Sequence, residues 1–273
     1  MSAFKVLARD WLPPALQRWL RLVRGGGPEL VGDFVSWEEA SAQCTGYDAK
    51  EILAKVLDAS LKVKRGEAVF ERDSVLFNEI EYAWPVLAGL MWAAARSGGR
   101  LSVLDFGGAL GSGYFQNRKF LQSLPNVSWS VVEQEHYVDA GRKHIQDEQL
   151  RFYKSVKECM QENQPNVILL SGVLQYLADP FGMLQVLGDI KADVLLLDRT
   201  SYASSGAGDL IKLQNVPESI YKASYPCHIF NEKHFCQFIS GLGYQLIEGY
   251  GSLDNFDPDT YWCGHIFLRR IDD

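Results

Sequence analysis

The 273-residue chain has no uninterrupted apolar run close to the about 18 residues that read as a membrane span. Its longest apolar segment, WPVLAGLMWAAA (84–95), is too short, and the opening MSAFKVLARDWLPPALQ has neither a continuous apolar core nor a small-residue cleavage site. Basic charge is scarce as well. With 27 Lys and Arg against 34 Asp and Glu, the net charge of −7 argues against general nucleic-acid binding, which needs positive surface to release counterions from phosphates. No C-x-x-C pair occurs among the five cysteines (44, 159, 227, 236 and 263), and the odd count fits reduced thiols in a cytoplasmic protein. Cys227, His228, His234 and Cys236 lie close together without zinc-finger spacing, so no metal is expected. Glycine and proline are not in excess, repeats are lacking, and 47% hydrophobic residues suffice for a real core.

What is present divides at ARSGGR (95–100), where a long apolar segment gives way to glycines. Residues 1–97 read as an N-terminal helical region or cap. Within it, Ser36 and Glu39 of SWEE match a capping box, with the Glu39 side chain returning to the Ser36 N–H. A helix is expected over about 48–64, with Ile52, Leu53, Val56, Leu57 and Leu61 on one face, and another over about 74–96, kinked at Pro85. Further upstream, PPALQRWLRLVR sets Leu16, Trp19, Leu20 and Val23 on one helical face and Arg18, Arg21 and Arg24 largely off it. Such a basic amphipathic helix, about 15–24, suits peripheral contact with an anionic membrane, packing on the protein body being the competing reading.

Residues 98–273 alternate short apolar runs with helical segments, the rhythm of an α/β fold with a parallel sheet. LSVLDF, VSWSVVE, LRFY, NVILLS and ADVLLLD are five strands. Residues 199–230 read as irregular. NEKHFCQFISGLG is a helix capped by Asn231, and YQLIEGYG with WCGHIFLRR closes the sheet as an antiparallel hairpin.

The glycine cluster in VLDFGGALGSGYF (103–115) follows the first of these strands. A dinucleotide fingerprint beginning at Gly107 needs glycines where Ala109 and Ser112 stand, and a P-loop needs a lysine where Tyr114 stands. Asp105, Gly107, Ala109 and Gly111 fit the remaining pattern, acid–x–Gly–x–Gly–x–Gly, at three of four positions. Gly107 and Gly108 let backbone approach a ligand closely, the following helix start favours a carboxylate, and Asp105 can balance an ammonium. Glu133, ending the second strand, is placed to accept two ribose hydroxyls.

On these residues the chain resembles the class I S-adenosylmethionine-dependent methyltransferases over about 101–269. DFGGALGSGYFQNR, VVEQ, SGVLQYLADP and LLLDRTSY are similar to a narrower group of uncharacterised methyltransferases, some associated with surface-polysaccharide genes. The resemblance implies a Rossmann-like sheet that binds S-adenosylmethionine and releases S-adenosylhomocysteine. It implies donor contacts from Asp105, Phe106, Gly107, Gly108, Gly111, Glu133, Gln134, Ser171 and Gly172. Two departures stand out. LRFYKSV offers Tyr153, Lys154 and Ser155 where an acid or polar group usually meets the adenine, leaving Phe152 or Tyr153 to pack on the ring. Ser171-Gly172-Val173-Leu174 replaces the [DNS]-P-P-[YFW] motif of base and amide N-methyltransferases, so nucleic-acid methylation is disfavoured.

Methyl transfer from a sulfonium needs alignment and, for a hydroxyl acceptor, a base. His228, Tyr176, Asp198 and Arg199 are the catalytic candidates, with Gln175 beside them, and Tyr202, Tyr225 and Trp262 offer an aromatic wall for a sugar. His136, His144, His234 and His265 read as structural or as helix openers. The expectation is a methyltransferase acting on a small-molecule or saccharide acceptor, on oxygen. A catalytically silent S-adenosylmethionine-binding protein of the same fold is the alternative, and an NAD-dependent sugar enzyme is disfavoured by Ala109 and Ser112. The oligomeric state is not readable from the sequence.

Overall fold

The computed structural model describes residues 29–44, 49–72, 74–204, 208–216, 223–252 and 259–270. The basic amphipathic segment 15–24 lies outside them. The first described element is strand β1 (Glu29–Phe34), followed by helix α1 (Trp37–Ala42). The Ser36 hydroxyl caps α1 by accepting the Glu39 N–H at 3.2 Å, while the Glu39 carboxylate accepts from Val35 at 3.0 Å, one residue earlier than a regular capping box. Helix α2 (Ala49–Lys64) buries Ile52, Val56 and Val63, with Leu53, Leu57 and Leu61 packed beside them.

The expected helix over 74–96 is only half present. Phe70–Arg72 (β2) and Val75–Phe77 (β3) pair as a short hairpin, and helix α3 begins at Trp84 and ends at Arg96. Pro85 sits in the first turn of α3, so it opens the helix instead of kinking it: its missing N–H would have had no intrahelical partner there.

From here the chain alternates strand and helix. The elements are β4 (Arg100–Phe106), α4 (Ser112–Leu121), β5 (Asn126–Val132), α5 (Glu135–Ala140), β6 (Leu150–Tyr153), α6 (Val156–Glu162), β7 (Val167–Ser171), α7 (Pro180–Gly188) and β8 (Val194–Ala203). Helix α5 runs into a wider π turn at Gly141–Ile145, and α7 is capped by Asp179, whose carboxylate accepts the Gly182 N–H at 2.9 Å. The described residues within 199–230 form strands where the sequence reads as irregular. Strand β8 extends to Ala203, and β9 (Leu210–Asn215) with β10 (Ser224–Ile229) joins β1 in a three-stranded antiparallel sheet, order β1-β9-β10. Leu30 lies opposite Gln214 in that sheet. The first third of the chain is therefore not purely helical.

Helix α8 (Glu232–Gly241) is capped by Asn231, and β11 (Tyr244–Gly251) and β12 (Thr260–Arg269) form the closing hairpin. The main sheet has seven strands in the order β11-β12-β8-β7-β4-β5-β6. Five are parallel; β12 runs antiparallel between β8 and β11. This is the Rossmann-like α/β architecture with a C-terminal antiparallel hairpin.

Both faces of the sheet are covered, which explains why its central strands read as continuous apolar runs. Val103, Leu169 and Leu196 join Trp129 and Leu90 in one core; their neighbours Leu104, Ile168 and Leu197 join Phe235 in the other. The order reverses at β4, which has β5 on one side and β7 on the other, and this switch opens a crevice at the strands' carboxyl ends. No helix among the described residues is long and apolar enough to cross a membrane.

Helix α3 reaches the sheet through Gly89, where an added Cβ would fall 2.5 Å from Leu196 Cδ2. Gly89→Val should therefore lower stability by about 1–3 kcal/mol through overpacking, measurable as a reduced urea midpoint with unchanged slope.

Candidate active site

The loop after β4 turns sharply into α4. Gly107 has φ +72°, its N–H donates to the Val132 carbonyl at 2.9 Å, and a Cβ there would lie 2.4 Å from Val173. Gly108 lies directly over the Asp105 carboxylate: a Cβ would sit 2.4 Å from Oδ2. Gly111 is the N-cap of α4, with φ +87°. Ala109 also adopts a left-handed conformation, φ +48°, so its methyl is accommodated at the cost of backbone strain.

Asp105 is 2% exposed and accepts a hydrogen bond from the Trp129 indole N–H at 2.9 Å. Burial pushes its carboxyl up to about 7; the Trp129 bond pulls down, the nearby Glu133 pushes up and Arg199 pulls down. Glu133 follows β5 directly. Burial raises its pKa too, while hydrogen bonds from the Gln134 and Ala109 N–H groups lower it, the former at 2.6 Å. The strand-end carboxylate and the glycine loop are thus in direct contact, and Asp105 lies close enough to sense both.

Across the switch point, Ser171 donates to Asp198 Oδ2 at 2.8 Å and Arg199 Nε donates to Ser171 Oγ at 3.3 Å. Asp198 and Arg199 pair at 4.0 Å. Arg199 has φ +52°, and a Cβ on Gly172 would lie 3.1 Å from its guanidinium, so Gly172 leaves the space that Arg199 occupies. The Gln175 amide fixes this turn by donating to the Arg199 carbonyl at 3.0 Å.

A cavity of about 360 Å³ joins these groups. Asp105, Gly107, Gly108, Ser171, Gly172, Asp198 and Arg199 line it from the sheet edge. Its other walls come from residues that sequence reasoning did not single out: Glu71 and Arg72 of β2, Tyr82 and Trp84 at the start of α3, Asn117 of α4 and Tyr250 of β11. Buried Glu71 accepts from Ser112 Oγ in a short contact and from Ser60 Oγ at 3.4 Å, tying β2 to the start of α4.

Phe106, Gly111, Glu133 and Gln134 are not among the residues that line the cavity. His228 and Tyr176 are elsewhere. His228 stacks between Trp37 (4.7 Å) and Phe230 (5.6 Å), and burial lowers its pKa, partly offset by the backbone of Leu177 and Ala178. Tyr176 donates to Gln214 at 3.0 Å and packs edge-on against Tyr225. Tyr202 is fully buried and Trp262 nearly so. Phe152 and Tyr153 are buried as well, Tyr153 between Glu162 and Asn163, so their rings are engaged within the protein.

Among the described residues, Glu232, Cys263 and His265 bring carboxylate, thiol and imidazole atoms within 4.8 Å of one another. His265 Nε2 and Glu232 are already hydrogen-bonded at 2.8 Å. Cys227 is fully buried and His234 pairs with Asp209, so these two do not converge.

No protein-family model and no curated protein matches the chain. Solved structures with a similar course include magnesium protoporphyrin IX methyltransferase (ChlM) from Synechocystis PCC 6803 with bound SAM, at 14% identity and TM-score 0.45, covering 99% of both chains. The N-terminal domain of EvdMO1, in the presence of SAH and D-fucose, matches at 13% identity and TM-score 0.48, covering 83% of this chain and 98% of its own. CalS10, an amino pentose methyltransferase from Micromonospora echinaspora, matches at 11% and 0.44, covering 70% and 93%. At these values the architecture rests on the strand order itself and not on the likeness.

The raised Asp105 pKa has a definite sign. The unfolded carboxyl, at its ordinary 3.8, ionises first, so folding loses free energy as pH rises from about 4 to about 7, and the loss is constant above that. Asp105→Asn keeps an acceptor for Trp129 and removes the loss. Its melting temperature should exceed the wild-type value by about 2 °C or more at pH 8 and converge with it near pH 4, as read by thermal scans across that range.

Proposed function

We propose that the chain is an S-adenosylmethionine-dependent methyltransferase acting on oxygen of a small-molecule or saccharide acceptor, with S-adenosylhomocysteine as product. The observation that carries this reading is the contact between the Glu133 carboxylate and the Ala109 N–H, which sets the strand-end acid against the glycine loop above buried Asp105. The donor set fits the molecule. A zwitterionic amino acid needs a carboxylate for its ammonium and N–H groups for its own carboxylate, and a ribose diol needs a bidentate acceptor. Asp105, the start of α4 and Glu133 are proposed for these parts, with Phe106, Gly107, Gly108, Gly111 and Gln134 shaping the loop. The cradle is narrow because only glycine at 107 and 108 leaves room between Val173, Asp105 and a ligand.

The bound donor supplies a methyl group on a sulfonium, and in-line displacement then depends chiefly on alignment. Ser171 and Gly172 are proposed for further donor contacts, and Asp198 and Arg199 for the acceptor side, where Asp198 can take a hydroxyl proton while Ser171 and Arg199 hold its carboxylate in place. Phe70–Arg72 and Glu81–Trp84 line the cavity, so the region 1–97 is proposed to act as its cap. A silent donor-binding protein is the second reading. It is favoured by the position of His228, which stacks between aromatic rings away from the cavity and offers no base there.

Calorimetry with S-adenosylmethionine, S-adenosylhomocysteine and NAD tests the donor. Both sulfur nucleosides should bind, and Glu133→Ala should weaken them about 10- to 100-fold, as expected for losing charged hydrogen bonds. Binding of NAD alone would overturn the reading. Release of labelled methyl to an acceptor separates the enzyme from the silent binder.

A further inference from the structure

We propose that the mouth of the cavity is a subsite for a pyranose ring, with Trp84 and Tyr82 as its apolar face and Asn117 as an acceptor for a ring hydroxyl. Identifying that ring as the methyl acceptor rests on the donor reading above; its binding does not.

The aromatic face is built in advance. Trp84 is the first residue of α3 and is 58% exposed, an unusual fate for an indole, yet it is held in place at the cavity wall. Its ring lies 4.7 Å from Tyr82, and Phe120 of α4 braces both, at 5.8 Å from Trp84 and 5.3 Å from Tyr82. The Trp84 and Tyr82 rings are tilted 35° to each other, and the exposed part of the indole offers an apolar surface with a polar edge, which matches the C–H face of a sugar ring.

The polar wall is incomplete without a ligand. Asn117 is 1% exposed and lines the cavity; its Nδ2 donates to the Gly113 carbonyl at 2.9 Å, whereas Oδ1 has no hydrogen-bond partner. A buried acceptor left in that state is unfavourable, and a ligand hydroxyl would satisfy it. At the rim, Arg72 and Glu81 face each other at 3.9 Å and Gln116 donates to the Glu81 carbonyl at 2.6 Å. Donors and acceptors therefore both line this part of the cavity. Sugar hydroxyls both donate and accept, so this mixture suits a polyol, whereas a cationic ligand would call for acceptors alone.

Saturation-transfer NMR with the methyl α-D-pyranosides of glucose, galactose and mannose tests the subsite on the full chain. At least one pyranoside should receive saturation from the wild-type protein. Trp84→Ala should reduce it at least about five-fold and Trp84→Phe should retain it, because a second aromatic ring preserves the face. Since Trp84 is exposed, its truncation leaves the core intact. Three results would overturn the inference: no transfer to any of the three, transfer unchanged in Trp84→Ala, or transfer to tetramethylammonium in their place. A wild-type protein that binds a pyranoside but not S-adenosylmethionine would sink the proposed reaction and leave this subsite standing.

Discussion

One buried carboxylate organises the carboxyl edge of the sheet. Asp105 is the next-to-last residue of β4, at the point where strand order reverses, and it accepts an indole N–H from β5 while the glycine loop passes directly above it. Any side chain at 108 would collide with it, so the loop can descend this far only as glycine. Leaving a carboxyl in such a position is unfavourable for the isolated fold, and its pKa rises accordingly. A site that keeps an unfavourable group in a cavity gains most when a ligand of opposite charge arrives.

The surrounding structure repeats this pattern of local cost. Ala109 and Arg199 both occupy left-handed backbone conformations, one in the loop after β4 and the other near the middle of β8. Each is fixed by neighbours: the Ala109 N–H by Glu133, and the Arg199 carbonyl by Gln175. Strain at two points around one cavity persists because these hydrogen bonds over-determine the backbone there. Meanwhile β2 and the start of α3 close the cavity from the N-terminal side, with Glu71 as the tie to α4.

Local signals made much of this legible in the sequence. The five parallel strands read as apolar runs because both sheet faces are covered, and Ser36 and Asn231 marked helix starts because a short polar side chain there caps free N–H groups. That Glu133 directly follows a strand was legible too, because the apolar run VSWSVV stops there. The pairing of β1 with β9 was not, since residues as far apart as Leu30 and Gln214 leave no mark in any local window. Glu71 and Trp84 escaped for a related reason: a three-residue strand has too little periodicity to place, and the proline beside Trp84 suggested a kink instead of a helix start. His228 had the chemistry of a base, but the ring of Trp37, on an element distant in sequence, claims its face.

The most direct test of the donor site is the proton balance of binding, measured by calorimetry of S-adenosylmethionine near pH 7 in buffers of different ionisation enthalpy. With the Asp105 carboxyl titrating at about 7, an ammonium group placed against it should expel about half a proton per donor bound, and Asp105→Asn should abolish that release. Donor binding with no proton release, or with the same release from Asp105→Asn, would contradict the assignment of Asp105 as the partner of the donor's ammonium group.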